Sequence, residues 1–162
     1  TSTISGSPPT RWKSATARPF WFSPTASRRS LPNEYPGTAR ATSSAIEHLC
    51  SIVKNAGFED FCFIRDIENY QKIFNDPHEL MKRAKEEIVK CDALLIDMSD
   101  SPTGRSMEAG MAYALGKKIV VIMKKGTKIK DTTRGIADVI VEYEKVEDIV
   151  PELKIFLGVI QD

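Results

Sequence analysis

Residues 91–123, CDALLIDMSDSPTGRSMEAGMAYALGKKIVVIM, decide the fold. Ala93-Leu94-Leu95-Ile96 reads as a fully buried strand that stops at Asp97. Apolar residues then recur at helical spacing from about Gly104 to Leu115, and Gly116 supplies the stop. Ile119-Val120-Val121-Ile122-Met123 follows as the next strand, its unbroken apolar run typical of a parallel sheet covered on both faces. Parallel strands joined through a helix imply a right-handed crossover. Ligands of such sheets bind beyond the carboxyl ends of the strands, where the winding reverses, which points at the segment after Ile96.

The same alternation continues outward. Upstream, Asp76-Pro77-His78-Glu79 is a helix start with a capping Asp, Pro at the first helical position and an acid in the first turn. Leu80, Met81, Ala84 and Ile88 give that helix its inner face. Arg65 to Asn75 is polar and reads as a loop, and Phe61-Cys62-Phe63-Ile64 reads as a buried strand. Gly57 ends an earlier helix with a capping box at Ser44–Glu47 and inner positions Ile46, Leu49, Cys50 and Val53. Downstream come the Lys124–Lys130 loop, a short turn at Arg134–Ala137 and a last strand, Val139-Ile140-Val141. The final helix carries Ile149, Leu153, Phe156 and Leu157 on one face, with Pro151 in its first turn. The pattern predicts one α/β domain over residues 41–162: a Rossmann-like, doubly wound parallel sheet with helices on both faces.

Residues 1–40 read differently. They hold six basic residues (Arg11, Lys13, Arg18, Arg28, Arg29 and Arg40) against one acid, Glu34, among many Ser, Thr and Pro. Organelle transit peptides have this composition, as does a stretch read in a foreign frame. The segment is expected to be irregular, with Pro19-Phe20-Trp21-Phe22-Ser23 as a candidate first strand; a loosely folded apolar patch is the alternative.

At 162 residues there is room for one domain with a proper core. A net charge of +1, and no interleaving of basic and aromatic residues in the well-patterned part, argue against a nucleic-acid partner. No apolar stretch approaches the roughly 20 residues of a membrane span. Cys50, Cys62 and Cys91 lie at unrelated spacings in apolar segments, the pattern of reduced, buried thiols in a cytoplasmic protein. His48 and His78 are far apart in helical patterns, so no metal is expected. Dinucleotide and P-loop spacings are absent, and no cofactor is expected.

The chemistry is concentrated in residues 97–108. Gly104 allows tight backbone geometry there, Thr103 or Ser106 can cap the helix, and first-turn N–H groups face an anion or a sugar hydroxyl. Glu108 shares a helix face with Met111, Ala112 and Leu115, and a carboxylate on a packing face is costly without a purpose. The plainer account is an acid complementing the helix dipole. Asp97 and Asp100 either cap the following turn or converge with Glu108 on one mouth, an arrangement suited to chemistry at a sugar carbon. Carboxylates that merely bind ribose hydroxyls are the other use. The Lys117-Lys118 and Lys124–Lys130 runs read as a solvated edge.

Cys91-Asp-Ala-Leu-Leu-Ile-Asp97, Gly104-Arg-Ser-Met-Glu108-Ala-Gly110-Met-Ala-Tyr113-Ala-Leu-Gly116-Lys117 and Arg134-Gly-Ile-Ala-Asp138 together resemble the nucleoside 2-deoxyribosyltransferase family and the related nucleotide N-glycoside hydrolases. The resemblance spans residues 42–157 and is strong over 91–122. It implies a flavodoxin-like five-stranded sheet and a homo-oligomer, a dimer or larger, acting on a nucleoside or nucleotide. Glu108 matches the family nucleophile, with Asp97 and Asp100 as candidate catalytic partners. Ser23, Asp66, Ser101, Gly104 and Ser106 are candidate substrate contacts, and Arg28, Arg29 and Ser101 suit a 5′-phosphate. Tyr143 and Ile155 are candidate apolar surface for an oligomer. Ala84 and Pro102 stand where many members carry aspartates, so a non-catalytic nucleotide-binding module is the alternative, with an oligomerising structural domain as a third reading.

Overall fold

The computed structural model describes residues 19–23, 36–71, 74–99 and 103–161, with the backbone alone at 19–23, 36–42, 103, 160 and 161. Strands β1 (Pro19–Ser23), β2 (Glu59–Cys62), β3 (Ala93–Asp97), β4 (Lys118–Lys124) and β5 (Val139–Tyr143) form one sheet in the order β2-β1-β3-β4-β5. Every neighbouring pair is parallel. The helices are α1 (Pro36–Asn55), α2 (Phe63–Asp66), α3 (Pro77–Lys90), α4 (Thr103–Ala114), α5 (Asp131–Ile136) and α6 (Val150–Gln161). From β1 the chain steps to one side to make β2, then crosses back to make β3, so the winding reverses between β1 and β3.

The period-2 alternation of the strands sorts the core into two halves. Ala93, Leu95, Val120, Ile122, Val141 and Tyr143 face Ile46, Val53, Ile149, Leu153 and Phe156 of α1 and the C-terminal segment. Leu94, Ile96, Ile119 and Val121 face Ile88 of α3 and Ala109 and Ala112 of α4. Both faces of β3 and β4 are therefore dry, which is why their sequences are apolar without a break. Each fully buried Leu or Ile here contributes about 1.5–3 kcal/mol of transfer free energy.

Most elements stand where the periodicity puts them. Asp76 caps α3 by accepting the His78 N–H at 2.9 Å, with Pro77 at the first position. Pro151 lies in the first turn of α6, which follows a 3₁₀ turn at Val146–Ile149. Gly57 closes α1 at φ +103°, and a Cβ there would meet Leu157 Cδ2 at 2.8 Å, so both backbone and packing demand glycine.

Several expectations need correction. Helix α1 begins at Pro36, well before the Ser44 capping box, because Pro at the first helical position needs no N–H partner. Ser44 and Glu47 are exposed mid-helix residues, and Glu47 instead accepts the Tyr70 hydroxyl. Strand β2 ends at Cys62, not Ile64, since Asp66 Oδ2 accepts the Cys62 N–H at 2.8 Å and draws the chain into the single turn of α2. The expected turn at 134–137 is the end of α5, and β5 runs on to Tyr143. Leu115 is exposed, outside the inner face of α4. Tyr143 is buried, at 7% exposure, and offers no surface for a partner.

Candidate functional site

Helix α4 starts at the carboxyl edge of the sheet, next to the winding reversal. Its inner stripe is Arg105, Glu108, Ala109 and Ala112, spaced i, i+3, i+4 and i+7. The two alanines are fully buried and let the helix lie close against β3 and β4. Glu108 is half-buried at the margin of that stripe, and its Oε2 atom is shielded from solvent. One turn earlier Arg105 is 4% exposed, and its Nη1 donates to the main-chain carbonyl of Asp97. That contact ties the first turn of α4 to the end of β3, and so fixes where Glu108 sits relative to the sheet.

Asp97 is 3% exposed and belongs to a different set of contacts. Its Oδ1 accepts the Ser99 N–H at 2.9 Å and the Ser99 hydroxyl at 2.6 Å, and its Oδ2 accepts the Tyr143 hydroxyl at 3.2 Å. Ser99 Oγ in turn lies 3.2 Å from the Tyr143 hydroxyl and accepts the Lys124 N–H at 3.0 Å. The ends of β3, β4 and β5 are thus tied into one knot. Alternation places the Asp97 side chain on the Leu95 and Tyr143 face of the sheet, whereas α4 and Glu108 lie on the Leu94 and Ile96 face. The structure does not bring Asp97 and Glu108 together; the β3 backbone stands between them.

Asp100 and Ser101 lie outside the described residues, as do Arg28, Arg29 and Pro102. Ser23 is the last residue of β1, in register with Ile96, which puts its backbone at the same edge as α4. Ser106 is exposed on α4. Gly104 is helical, with no described atom within 4 Å of a Cβ built on it, so tight backbone geometry is not what glycine supplies there. Asp66 sits at the carboxyl end of β2, where it accepts the Cys62 N–H and pairs with Arg65 Nε at 2.7 Å. That carboxylate shapes the β2–α2 corner. Ala84 is a buried core residue of α3.

Sequence reading passed over Arg105 and Ser99, and it took Tyr143 for oligomer surface instead of a partner of Asp97. Arg105 was findable, since it precedes Glu108 by three and Ala109 by four and must share their face. Tyr143 continues the alternation of Val139 and Val141. Ser99 carried no mark that sets it apart from other loop serines. Among the described residues no group of three His, Cys, Asp or Glu could hold a metal, and no helix is long and apolar enough to cross a membrane.

No family model and no curated protein matches the sequence. Solved structures do. A CMP N-glycosidase from Clostridium botulinum superposes with a TM-score of 0.58 at 17% identity, covering 85% of this chain and 99% of that one. A conserved protein from Enterococcus faecalis V583 gives 0.62 at 15% identity, over 87% and 99% of the two chains. A 2-deoxyribosyltransferase from Bacillus psychrosaccharolyticus gives 0.55 at 18% identity, over 82% and 90%. The chain shares their fold. That fold serves one protein named for cleaving an N-glycosidic bond and another named for transferring a deoxyribosyl group, chemistry at the same kind of bond.

Proposed function

We propose that this protein cleaves or transfers at the N-glycosidic bond of a (deoxy)nucleoside or nucleoside 5′-monophosphate, with Glu108 as nucleophile. The observation that carries the reading is the position of Glu108: half-buried, one oxygen shielded, on the inner face of the helix that opens at the carboxyl edge of the sheet. A Glu108 oxygen attacks the anomeric carbon while the C–N bond breaks and its electron pair leaves on the base, which takes up a proton. The resulting glycosyl ester is opened by water in a hydrolase or by the nitrogen of a second base in a transferase, and the carboxylate is regenerated. The shared fold with an N-glycosidase and a deoxyribosyltransferase supports the reading. Asp97 then acts by holding Ser99 and Tyr143 at the carboxyl edge of the sheet, and Asp100 is the candidate acid partner.

The flavodoxin-like description of the sheet, a cytoplasmic location and a homo-oligomer belong to the same proposal. Exposed Met107 and Tyr113 on α4 and Ile155 and Val159 on α6 offer apolar surface for a second copy.

The test is incubation with deoxynucleosides and their 5′-monophosphates, with and without an acceptor base, followed by chromatography and intact mass. Free base, or exchanged base, is expected, with a pentosyl adduct on the wild type. Glu108→Gln is expected to lose the adduct and about 10³-fold or more of the rate. No product from the panel, or an unaffected variant, sinks the proposal. Saturable nucleotide binding without turnover would establish a binding module instead, a reading favoured by the separation of Asp97 from Glu108.

A further inference from the structure

Helix α1 passes into β2 through a tight turn, in which the Gly57 N–H donates to the Lys54 carbonyl at 2.9 Å and the Phe58 N–H to the Val53 carbonyl at 3.3 Å. The two elements therefore lie side by side, running in opposite directions, and their side chains meet in pairs that step outward from the turn. Lys54 of α1 and Asp60 of β2 make one such pair, with Nζ 3.1 Å from Oδ1. Cys50 precedes Lys54 by four residues, one helical turn away on the same face. Cys62 follows Asp60 by two, on the same face of the strand. The next pair outward is thus Cys50 with Cys62, and their side chains are hydrogen-bonded to each other.

Both thiols are free and at most 1% exposed, in the half of the core covered by α1 and α6. Two small apolar residues would fill that space as well. What sets this pair apart is the contact between the sulfurs and the positive charge beside it. The hydrogen bond from Cys50 lowers the Cys62 thiol, and Arg65 adds to the effect through its main-chain N–H and its charge. The same hydrogen bond, together with burial, raises the Cys50 thiol. One member is thereby readied as a thiolate while the other keeps its proton. The surroundings hold the pair in place: Asp66 Oδ2 accepts the Cys62 N–H at 2.8 Å, and Arg65 bonds to both Asp60 and Asp66. Cys91 lies in the other half of the core, where burial pushes its thiol up to about 12.

We infer that Cys50 and Cys62 are an oxidisable dithiol, which a hydroperoxide converts into a disulfide that clamps α1 to β2. The Cys62 thiolate attacks one oxygen of the hydroperoxide and the O–O bond breaks. The products are a Cys62 sulfenic acid and an alcohol, or water where the oxidant is hydrogen peroxide, the leaving oxygen taking up the proton that the thiol gave. Cys50 Sγ then displaces the hydroxyl from Cys62 Sγ, and its own proton leaves with that hydroxyl as water. Two thiols lose two hydrogens and two electrons, and the hydroperoxide gains them. A thiol reductant reverses the step by exchange. Bulky alkylating reagents find no room beside the pair in the folded state, whereas hydrogen peroxide, little larger than water, needs only small fluctuations of the packing. The inference is independent of the chemistry proposed at Glu108.

The test exposes the reduced, folded chain to hydrogen peroxide at neutral pH, then alkylates it in denaturant and maps its peptides by mass spectrometry. The Cys50 and Cys62 peptides are expected to appear joined within one chain, lighter by two hydrogens, at least about tenfold faster than Cys91 is oxidised. Cys50→Ser is expected to stop at a single added oxygen on Cys62, and Cys62→Ser to leave Cys50 unoxidised. Cys91→Ser is expected to form the bridge as the wild type does. The oxidised chain should show a higher urea midpoint, which dithiothreitol returns to the starting value. Mapping of the wild type decides the matter even where a serine variant fails to fold. Thiols that stay reduced, oxidation of Cys91 at the same rate, or a bridge between two chains would overturn the dithiol and leave Cys50 and Cys62 as packing residues. A bridge that leaves the urea midpoint unchanged or lowers it would overturn the clamp.

Discussion

Tyr143 reaches Asp97 from the last strand of the sheet, and its hydroxyl donates to an oxygen of a carboxylate that is almost wholly out of water. A buried carboxylate is costly unless its oxygens accept hydrogen bonds, and here Ser99 and Tyr143 supply them. Removing the hydroxyl while keeping the ring leaves the packing of Tyr143 intact and withdraws one donor from Asp97 Oδ2. Tyr143→Phe is therefore expected to destabilise the fold by about 1–3 kcal/mol, read as a lower urea midpoint with an unchanged slope. An unchanged midpoint would mean that the hydroxyl is dispensable to Asp97. The residue scale is also where the sequence was least legible. Asp97 and Glu108 have the same chemistry and similar surroundings in the chain, and both invited a catalytic reading. What separates them is the face of β3 on which each lies, and that depends on which helix covers which side.

The β2–α2 corner shows how a few polar side chains end a strand. Asp60 is buried on β2, with Arg65 Nη1 on one oxygen and Lys54 Nζ of α1 at 3.1 Å from the other. Burial alone would raise the Asp60 carboxyl; hydrogen bonds and charge from Arg65 and Lys54 outweigh it and hold the group below its ordinary value. The folded state then binds fewer protons than the unfolded state over an acid window. The stabilisation is complete above the unfolded value of about 3.9 and is lost as pH falls through the lower, folded value. Asp60→Asn should lower the melting temperature at neutral pH and flatten its decline below about pH 4. A variant that declines as steeply as the wild type would show that other carboxylates set the acid limb. Periodicity found β2 but misplaced its end by two residues, because Phe63 and Ile64 are as apolar as Phe61 and Cys62. The stop comes from Asp66 reaching back to Cys62, and hydrophobicity carries no trace of it. By contrast α3, with Asp76 and Pro77 at its start, announces itself in four residues.

Across the whole molecule the alternation of strand and helix gave the parallel α/β architecture, since both faces of β3 and β4 had to be covered. The N-terminal strand was the hard part. Pro19–Ser23 lies in a stretch whose composition resembles a leader, yet it pairs with both β2 and β3 and occupies an interior position in the sheet. Five residues are too few for a period to declare itself. The two halves of the core, separated by the sheet, raise the question of whether they open together. The thiols report on both. Cys50 and Cys62 lie in the half covered by α1 and α6, and Cys91 lies in the half covered by α3 and α4. All three are free and buried, so access disfavours reaction in the folded state; burial also pushes the Cys91 thiol up to about 12, whereas the hydrogen bond with Cys50 lowers the Cys62 thiol, which leaves burial as its protection. If β3 and β4, shared by both halves, bind them into one cooperative unit, every thiol becomes reactive only through the same global opening. Labelling at neutral pH in excess reagent should then proceed at one common rate, about 10³-fold or more slower than in urea. Mass spectrometry should show unlabelled and triply labelled chains with few intermediates. Faster labelling of Cys91 alone would show that α3 and α4, and with them the helix that carries Glu108, open without the rest.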